Sequence, residues 1–150
     1  MANYNIPQPG VGAVGQYQIS ARPYCTSSIE VPAAGSTPLE IAFPAVTSWI
    51  WVKNLDEAVP IRMGFSALGV TGALAAAGGS NCYVHIGPAG TDFDGSGGAS
   101  TFQVRCRAIY LISETSDAVT DVSIMAGLTG IDNNLSASAG YNFSGSAGVG

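Results

Sequence analysis

Apolar and polar side chains alternate with a period of two residues in four separate stretches of this chain. The stretches are Leu39–Phe43, Ile61–Ala67, Phe102–Ile112 and Val122–Leu128. Because successive side chains of a β-strand point to opposite faces of a sheet, each stretch is predicted to be a strand with one face in the core. The longest apolar series consists of Phe102, Val104, Cys106, Ala108, Tyr110 and Ile112. The alternation favours an all-β fold.

Turn-forming segments rich in Gly, Pro, Asn, Asp and Ser separate the alternating stretches. They lie at 32–36, 54–57, 87–88, 95–98 and 115–117. Shorter candidate strands at 17–21, 27–31 and 82–86 bring the predicted total to about eight. Only residues 71–77 have a composition that predicts a helix, and Gly78 and Gly79 end it. This pattern predicts a single jelly-roll sandwich of about eight antiparallel strands, with extended N- and C-terminal arms.

The segment Thr47–Asn54 is apolar on both of its predicted faces. Trp49 and Trp51 share one face, and Ile50 and Val52 share the other. In an isolated sandwich of two sheets the outer face of a strand meets water, so a second apolar face needs a cover. A partner molecule is one possible cover, and a loop of the same chain is the other.

The chain is poor in charge. Lys and Arg number 5 and Asp and Glu number 10, so charged residues make up 10% of the sequence, against about 25% in ordinary soluble domains. Interface cores are depleted of charge, and the composition therefore predicts a surface that neighbouring subunits cover. A net charge of −5 argues against direct nucleic-acid binding and against anionic membranes, both of which need clustered Lys and Arg.

Both ends of the sequence lack regular patterns. The chain is predicted to divide into an extended N-terminal arm (1–21), a jelly-roll domain (22–131) and a Gly/Ser/Ala-rich tail (132–150). The arm contains no charged side chain, whereas ordinary disordered tails are charged and solvated. Such ends suit a chain that lies along its neighbours, and simple flexible ends are the alternative. The predicted assembly-interface residues are Tyr4, Ile6, Trp49, Trp51, Tyr141 and Phe143.

Catalytic and metal-binding patterns all fall short. The one histidine, His85, cannot supply the two or three imidazoles of a cupin-type metal site. Ser66 lacks the glycine that a nucleophile elbow requires two residues later, and is predicted to lie on the polar face of a strand. Asp92 and Asp94 lack the further oxygen ligands of a calcium loop; they are predicted to lie at a solvated hairpin tip, with a weak calcium site as the alternative. The sequence therefore predicts no enzyme, no metal, no cofactor and no small-molecule ligand.

The cysteine pattern and the first residues of the sequence indicate the cellular compartment of the protein. Three cysteines, Cys25, Cys82 and Cys106, form no C-x-x-C pair; they are predicted to be buried thiols in a reducing compartment, with a Cys82–Cys106 bridge or metal site as the alternative. Residues 1–7 have neither a basic region nor an apolar run, so no secretory signal and no membrane insertion are expected.

Three passages resemble the single jelly-roll capsid proteins of large icosahedral DNA viruses, penton-type vertex proteins especially. They are 43–54, 61–66 and the pair 102–113 with 122–131. The resemblance covers residues 40–131 and is one of pattern and order. It implies a jelly roll that stands in a ring of five, with copies of itself and other capsid proteins as partners. It further implies a virion protein made in the host cytoplasm, without catalytic residues. Segment 73–79 and the glycine-rich tail have no counterpart in that family.

A second class of function uses the same aromatic residues. Trp49, Trp51 and the loop 87–98 could together present a stacking surface to a sugar, as in a fibre head or a lectin-like sandwich. Glycan binding that disappears in a Trp51→Ala variant would distinguish this reading from a shell subunit.

Overall fold

The computed structural model describes residues 22–72, 81–90 and 98–132. These contain eight strands and one short helix: β1 (Arg22–Val31), β2 (Leu39–Ala42), β3 (Ala45–Asn54), β4 (Ile61–Gly64), α1 (Ala67–Thr71), β5 (Tyr83–Ile86), β6 (Ala99–Phe102), β7 (Ala108–Ser113) and β8 (Val119–Asp132). The all-β class and the number of strands are confirmed. The candidate strand at 17–21 lies outside the described residues, as do Asp92, Asp94, the predicted arm 1–21 and residues 133–150 of the predicted tail; Asp132, the first residue of that tail, is the last residue of β8.

The strands form two antiparallel sheets of four. Sheet A has the order β1-β8-β3-β6, and sheet B has the order β2-β7-β4-β5. The first strand pairs with the eighth, the second with the seventh, the third with the sixth and the fourth with the fifth. These four pairs are those of one long hairpin. Two further pairs join these into sheets: β3 with β8 joins the strands of sheet A, and β4 with β7 joins the strands of sheet B.

The core lies between the sheets and is built from alternate residues of each strand. Sheet B contributes Ile61 and Met63 from β4 and Ile109 and Leu111 from β7, all fully buried. Sheet A contributes Val31, Ile50, Val52, Val122, Ile124, Ala126 and Leu128. The predicted inward face of β8 is thus confirmed. The predicted inward face of Ile61–Ala67 is confirmed only for Ile61 and Met63, because β4 ends at Gly64 and Ala67 begins α1. Full burial of each Val, Leu, Ile or Met side chain contributes about 1.5–3 kcal/mol to folding.

The long apolar series predicted over Phe102–Ile112 is wrong as a single strand. β6 ends at Phe102 in sheet A, and β7 begins at Ala108 in sheet B. Because the chain changes sheets between them, the alternation starts again, and the inward residues of β7 are Ile109 and Leu111. Ile112 points to the opposite face and is nevertheless buried, since α1 packs against β7 there.

The helix begins earlier than predicted. Ser66 does not lie on a strand; its hydroxyl accepts a hydrogen bond from the Gly69 amide at 3.1 Å and caps the helix. Gly72, with φ +77°, ends the helix in the left-handed conformation that glycine adopts without strain. In the described part of the predicted segment 71–77, Thr71 is helical and Gly72 is not; residues 73–77 lie outside the described residues.

The cysteine prediction is right for one residue of three. Cys106 is buried, whereas Cys25 and Cys82 are exposed, and no disulfide joins these three described residues. The Thr47 hydroxyl donates to the Val104 carbonyl at 2.9 Å and accepts from the Cys106 amide at 3.1 Å. Thr47 therefore fastens β3 to the segment in which the chain changes sheets.

Ionisation of Cys106 is expected to destabilise the protein at high pH. Burial raises the pKa of the Cys106 thiol from 9.0 to about 11, against a smaller lowering by its contact with Thr47. The unfolded thiol ionises first, so its protonated form stabilises the fold below pH 9, and this stabilisation is lost as pH rises through 11. Denaturant titrations measure how much the free energy of unfolding falls between pH 9 and pH 11. This fall should be about 2 kcal/mol larger for the natural chain than for Cys106→Ala. Equal losses would contradict this account.

Candidate interaction surface

The outer face of sheet A carries a continuous group of apolar residues. Strand register places Cys25 of β1 opposite Met125 of β8, and Met125 opposite Trp51 of β3. The adjacent row contains Pro23, Gly127 and Trp49, in the same strand order. Residues that face each other across paired strands share one side of the sheet. We call these six residues the apolar outer face.

Its side chains point away from the core. Ile50 and Val52, which alternate with the two tryptophans, are fully buried, so Trp49 and Trp51 lie on the opposite side of β3. Both are partly buried, and Met125 is 41% exposed. The prediction that β3 is apolar on both faces is confirmed. In the described residues, no loop buries the tryptophan side as fully as the core side.

A register shift in β3 brings Trp49 opposite a glycine. Thr47 pairs with Leu128 and Trp49 with Gly127, which leaves Ser48 as an extra residue on β3. The Ser48 hydroxyl donates to the Gly127 carbonyl at 3.2 Å. Gly127 has no side chain, so the indole of Trp49 has room to lie over the neighbouring strand, and Gly127 is buried.

Charge is confined to the border of this surface. None of the six residues is an Asp, Glu, Lys, Arg or His. The next outward residue of β3 is Lys53, which pairs with Ser123 of β8 and Ala99 of β6. On the β6 side, the outward neighbour of Trp51 is Thr101. The apolar outer face therefore has polar residues at its edge and an uncharged centre, which is the distribution found in protein–protein interfaces.

The outer face of sheet B has the opposite character. Glu114 accepts from Arg62 at 3.2 Å and lies 2.6 Å from Nδ1 of His85. The Arg62 guanidinium also lies 4.8 Å from the centre of the Tyr83 ring. Burial, followed by the nearby Glu40 carboxylate, raises the pKa of Tyr110 on the same face. Charged groups pair within this face, and α1 covers part of it.

The structure brings together some of the predicted interface residues and leaves others untested. Trp49 and Trp51 lie side by side on the apolar outer face, whereas Tyr4, Ile6, Tyr141 and Phe143 lie outside the described residues. Sequence reasoning missed Met125, Cys25 and Pro23 as members of the same surface. The alternation in β8 does place Met125 opposite its core residues, but only the register of β1, β8 and β3 unites the three strands.

No reaction chemistry gathers in the described segments. His85 is a surface residue, and its closest charged partner is Glu114. Among the residues described, histidine, cysteine and acidic side chains nowhere form a group of three that could hold a metal ion. Within the same segments, no helix has the length and apolar character needed to cross a bilayer.

Comparison of the chain with protein-family models, with curated proteins and with solved structures finds no match. The surfaces described above are therefore the observations on which a function can be argued.

Proposed function

We propose that this protein is a non-catalytic structural subunit of an icosahedral viral capsid. In this proposal its domain is a jelly roll, and copies of it pack as a ring of five at a vertex, against the major capsid proteins. The observation that carries the proposal is the uncharged outer face of sheet A, on which Trp49 and Trp51 are partly buried and Met125 is exposed. Capsid assembly provides such a face with a permanent cover.

Strand pairing supports the jelly-roll fold. A jelly roll is a double sheet of eight strands, and capsid subunits are among the proteins that use it. Folding one long antiparallel hairpin around a core gives the pairs first with eighth, second with seventh, third with sixth and fourth with fifth. All four pairs occur in this chain. The two pairs that divide the hairpin, β3 with β8 and β4 with β7, complete two four-stranded sheets.

The unlike outer faces support a ring. A ring closed by rotation uses two different surfaces of each subunit, so that one surface meets the other on the next copy. Here sheet A is apolar outside, whereas sheet B carries the Arg62–Glu114–His85 group. A symmetric dimer would need only one self-complementary surface. A ring therefore needs, on each copy, a second surface that differs from the apolar outer face.

Electron microscopy of the purified full-length chain tests this proposal. We expect class averages with five-fold rotational symmetry at micromolar protein concentration. Single subunits without rotational symmetry would contradict the proposal, and three-fold particles would contradict the vertex position in favour of a fibre or decoration protein.

The accessible tryptophan pair also favours a second candidate, a glycan-binding module. Sugar platforms combine an exposed aromatic ring with polar side chains that bind the hydroxyl groups. Within the apolar outer face, however, Pro23, Met125 and Gly127 offer no polar side chain, and Thr101 and Lys53 lie only at its border. A glycan array probed with the natural chain and with Trp51→Ala separates the two proposals. We expect no glycan signal from either protein, and a signal lost in the variant would favour the glycan-binding function.

A further inference from the structure

The apolar outer face is too small to be the whole contact between two folded subunits. It spans three neighbouring strands, which are about 4.8 Å apart, and two rows of residues about 7 Å apart. Its six residues are far fewer than the roughly 20–30 that each partner contributes to a stable interface. These dimensions fit the width of an extended chain segment laid over the sheet.

The chain itself contains a segment that matches this surface. Residues 1–21 carry no acidic or basic side chain, so laying them on the uncharged centre of the face would bury no unpaired charge. Tyr4 and Ile6 are two residues apart, as are Tyr17 and Ile19. In an extended chain, residues two apart point to the same side. The segment can therefore present pairs of apolar side chains to the tryptophan rows.

The point at which this segment joins the fold lies beside the face. Arg22, the first residue of β1, pairs with Leu128, and the next pair, Pro23 with Gly127, already belongs to the apolar outer face. β1 is also an edge strand of sheet A. Twenty-one uncharged residues thus end one position from the surface that needs a cover.

The direction of β1 favours a neighbouring copy over the same copy. β1 runs from the Pro23 row toward the Cys25 row, so the chain arrives at the border of the face along the strand axis. To cross its own face, residues 1–21 would have to reverse direction before Arg22, and only the residues that precede the reversal could then lie on the face. Pro23 restricts Arg22 to extended backbone, so the chain continues outward from β1 at this residue, and the first glycine available for a reversal is Gly15. A neighbouring face can be reached without this reversal.

We propose that residues 1–21 of one copy lie across the apolar outer face of a neighbouring copy. This inference rests on the proposed assembly of several copies, and it specifies which surfaces join them. Each subunit then contributes one arm and one face to its two neighbours, which is the directional contact that a closed ring requires.

A cross-linking experiment on the full-length chain tests the arm contact, with Cys25 as a natural reporter on the face. A second thiol is introduced by Ile6→Cys or, separately, Val14→Cys, and Cys82→Ser removes the other exposed thiol. Assembled protein, mixed from unlabelled and isotopically labelled chains, is treated with a bismaleimide, and linked peptides are identified by mass spectrometry. We expect links between position 6 or 14 of one chain and Cys25 of another. The matched control, the same protein with Cys25→Ser, should lose these links.

Each other outcome overturns the inference in a recognisable way. Links confined to single chains would mean that the arm covers its own subunit. Assembled protein that gives no link at either position, with Cys25 protected from maleimide, would assign the face to another surface of a second copy or of a different protein. Both results leave the ring intact as a proposal. A chain that never assembles instead contradicts the proposed function itself.

Discussion

Met125→Glu is expected to weaken assembly of this protein by about 100-fold. Met125 is central in the apolar outer face, where it pairs with both Cys25 and Trp51. A carboxylate at this position would lose its hydration when the face is covered, and the nearest cation on the face, Lys53, lies in the next row at the border, so the expected cost is about 3 kcal/mol. Because Met125 is 41% exposed in the single subunit, the substitution should leave the free energy of unfolding of that subunit nearly unchanged. Sedimentation velocity over a dilution series measures the effect.

Leu68→Glu is the matched control for this variant. Leu68 lies on α1, over sheet B, and is 66% exposed. The substitution adds the same charge to the same chain, at a helical position that tolerates glutamate. We expect Leu68→Glu to assemble like the natural protein. If Met125→Glu and Leu68→Glu assemble equally well, the apolar outer face does not hold subunits together. Trp51→Glu, which charges the same row on β3, gives an independent check.

Gly98→Ala is expected to lower the free energy of unfolding by about 3 kcal/mol, the larger part of it from steric conflict. Gly98 has φ +66°, and a Cβ there would lie 2.5 Å from the Gly87 carbonyl oxygen and 2.8 Å from that of Asn54. The Gly98 carbonyl also accepts from the Asn54 amide at 2.9 Å. These contacts hold together the loops that precede β4, follow β5 and lead into β6, so the backbone cannot move away cheaply.

Gly90→Ala separates the two causes. Gly90 also has positive φ, +83°, but a Cβ there meets nothing within 4 Å. In this variant the free energy of unfolding should fall only by the cost of placing alanine in the left-handed conformation, about 1 kcal/mol. Thermal unfolding of both variants should place Gly98→Ala roughly 6 °C below Gly90→Ala. Equal midpoints would mean that the loops around Gly98 are not packed as described.

The phase of β3 and β8 could be predicted from the sequence because each stays in one sheet. Alternation in Val122–Leu128 predicted the inward side chains of β8, and the same reasoning separated Trp49 and Trp51 from Ile50 and Val52. Within one strand, side-chain direction depends only on the period of two residues. These predictions needed no knowledge of the partner strands.

Alternation failed where the chain changes sheets. Residues 103–107 carry an apolar series with the right period, yet they lie between β6 and β7 and belong to neither strand. The crossing is held by long-range bonds from Thr47 to Val104 and Cys106, which a local pattern cannot reveal. The helix differs in this respect, since Ser66 is a good N-cap and that local signal was available.

Only part of the apolar outer face could be predicted from the sequence, for the same reason. The tryptophan pair could be predicted because Trp49 and Trp51 are only two positions apart in the sequence. Its neighbours Met125 and Cys25 come from β8 and β1, and their place beside Trp51 depends on strand register. Register is set jointly by the buried face and by the loops, so residues far apart in sequence join one surface only when the whole sheet is known.

The central claim is that the apolar outer face is covered by other copies of this protein. Native mass spectrometry of the unmodified full-length chain at micromolar concentration tests it most directly. The account predicts a complex with five times the 15.2 kDa mass of one chain. A stable species of one chain, with the fluorescence of Trp49 and Trp51 unchanged on dilution, would contradict it.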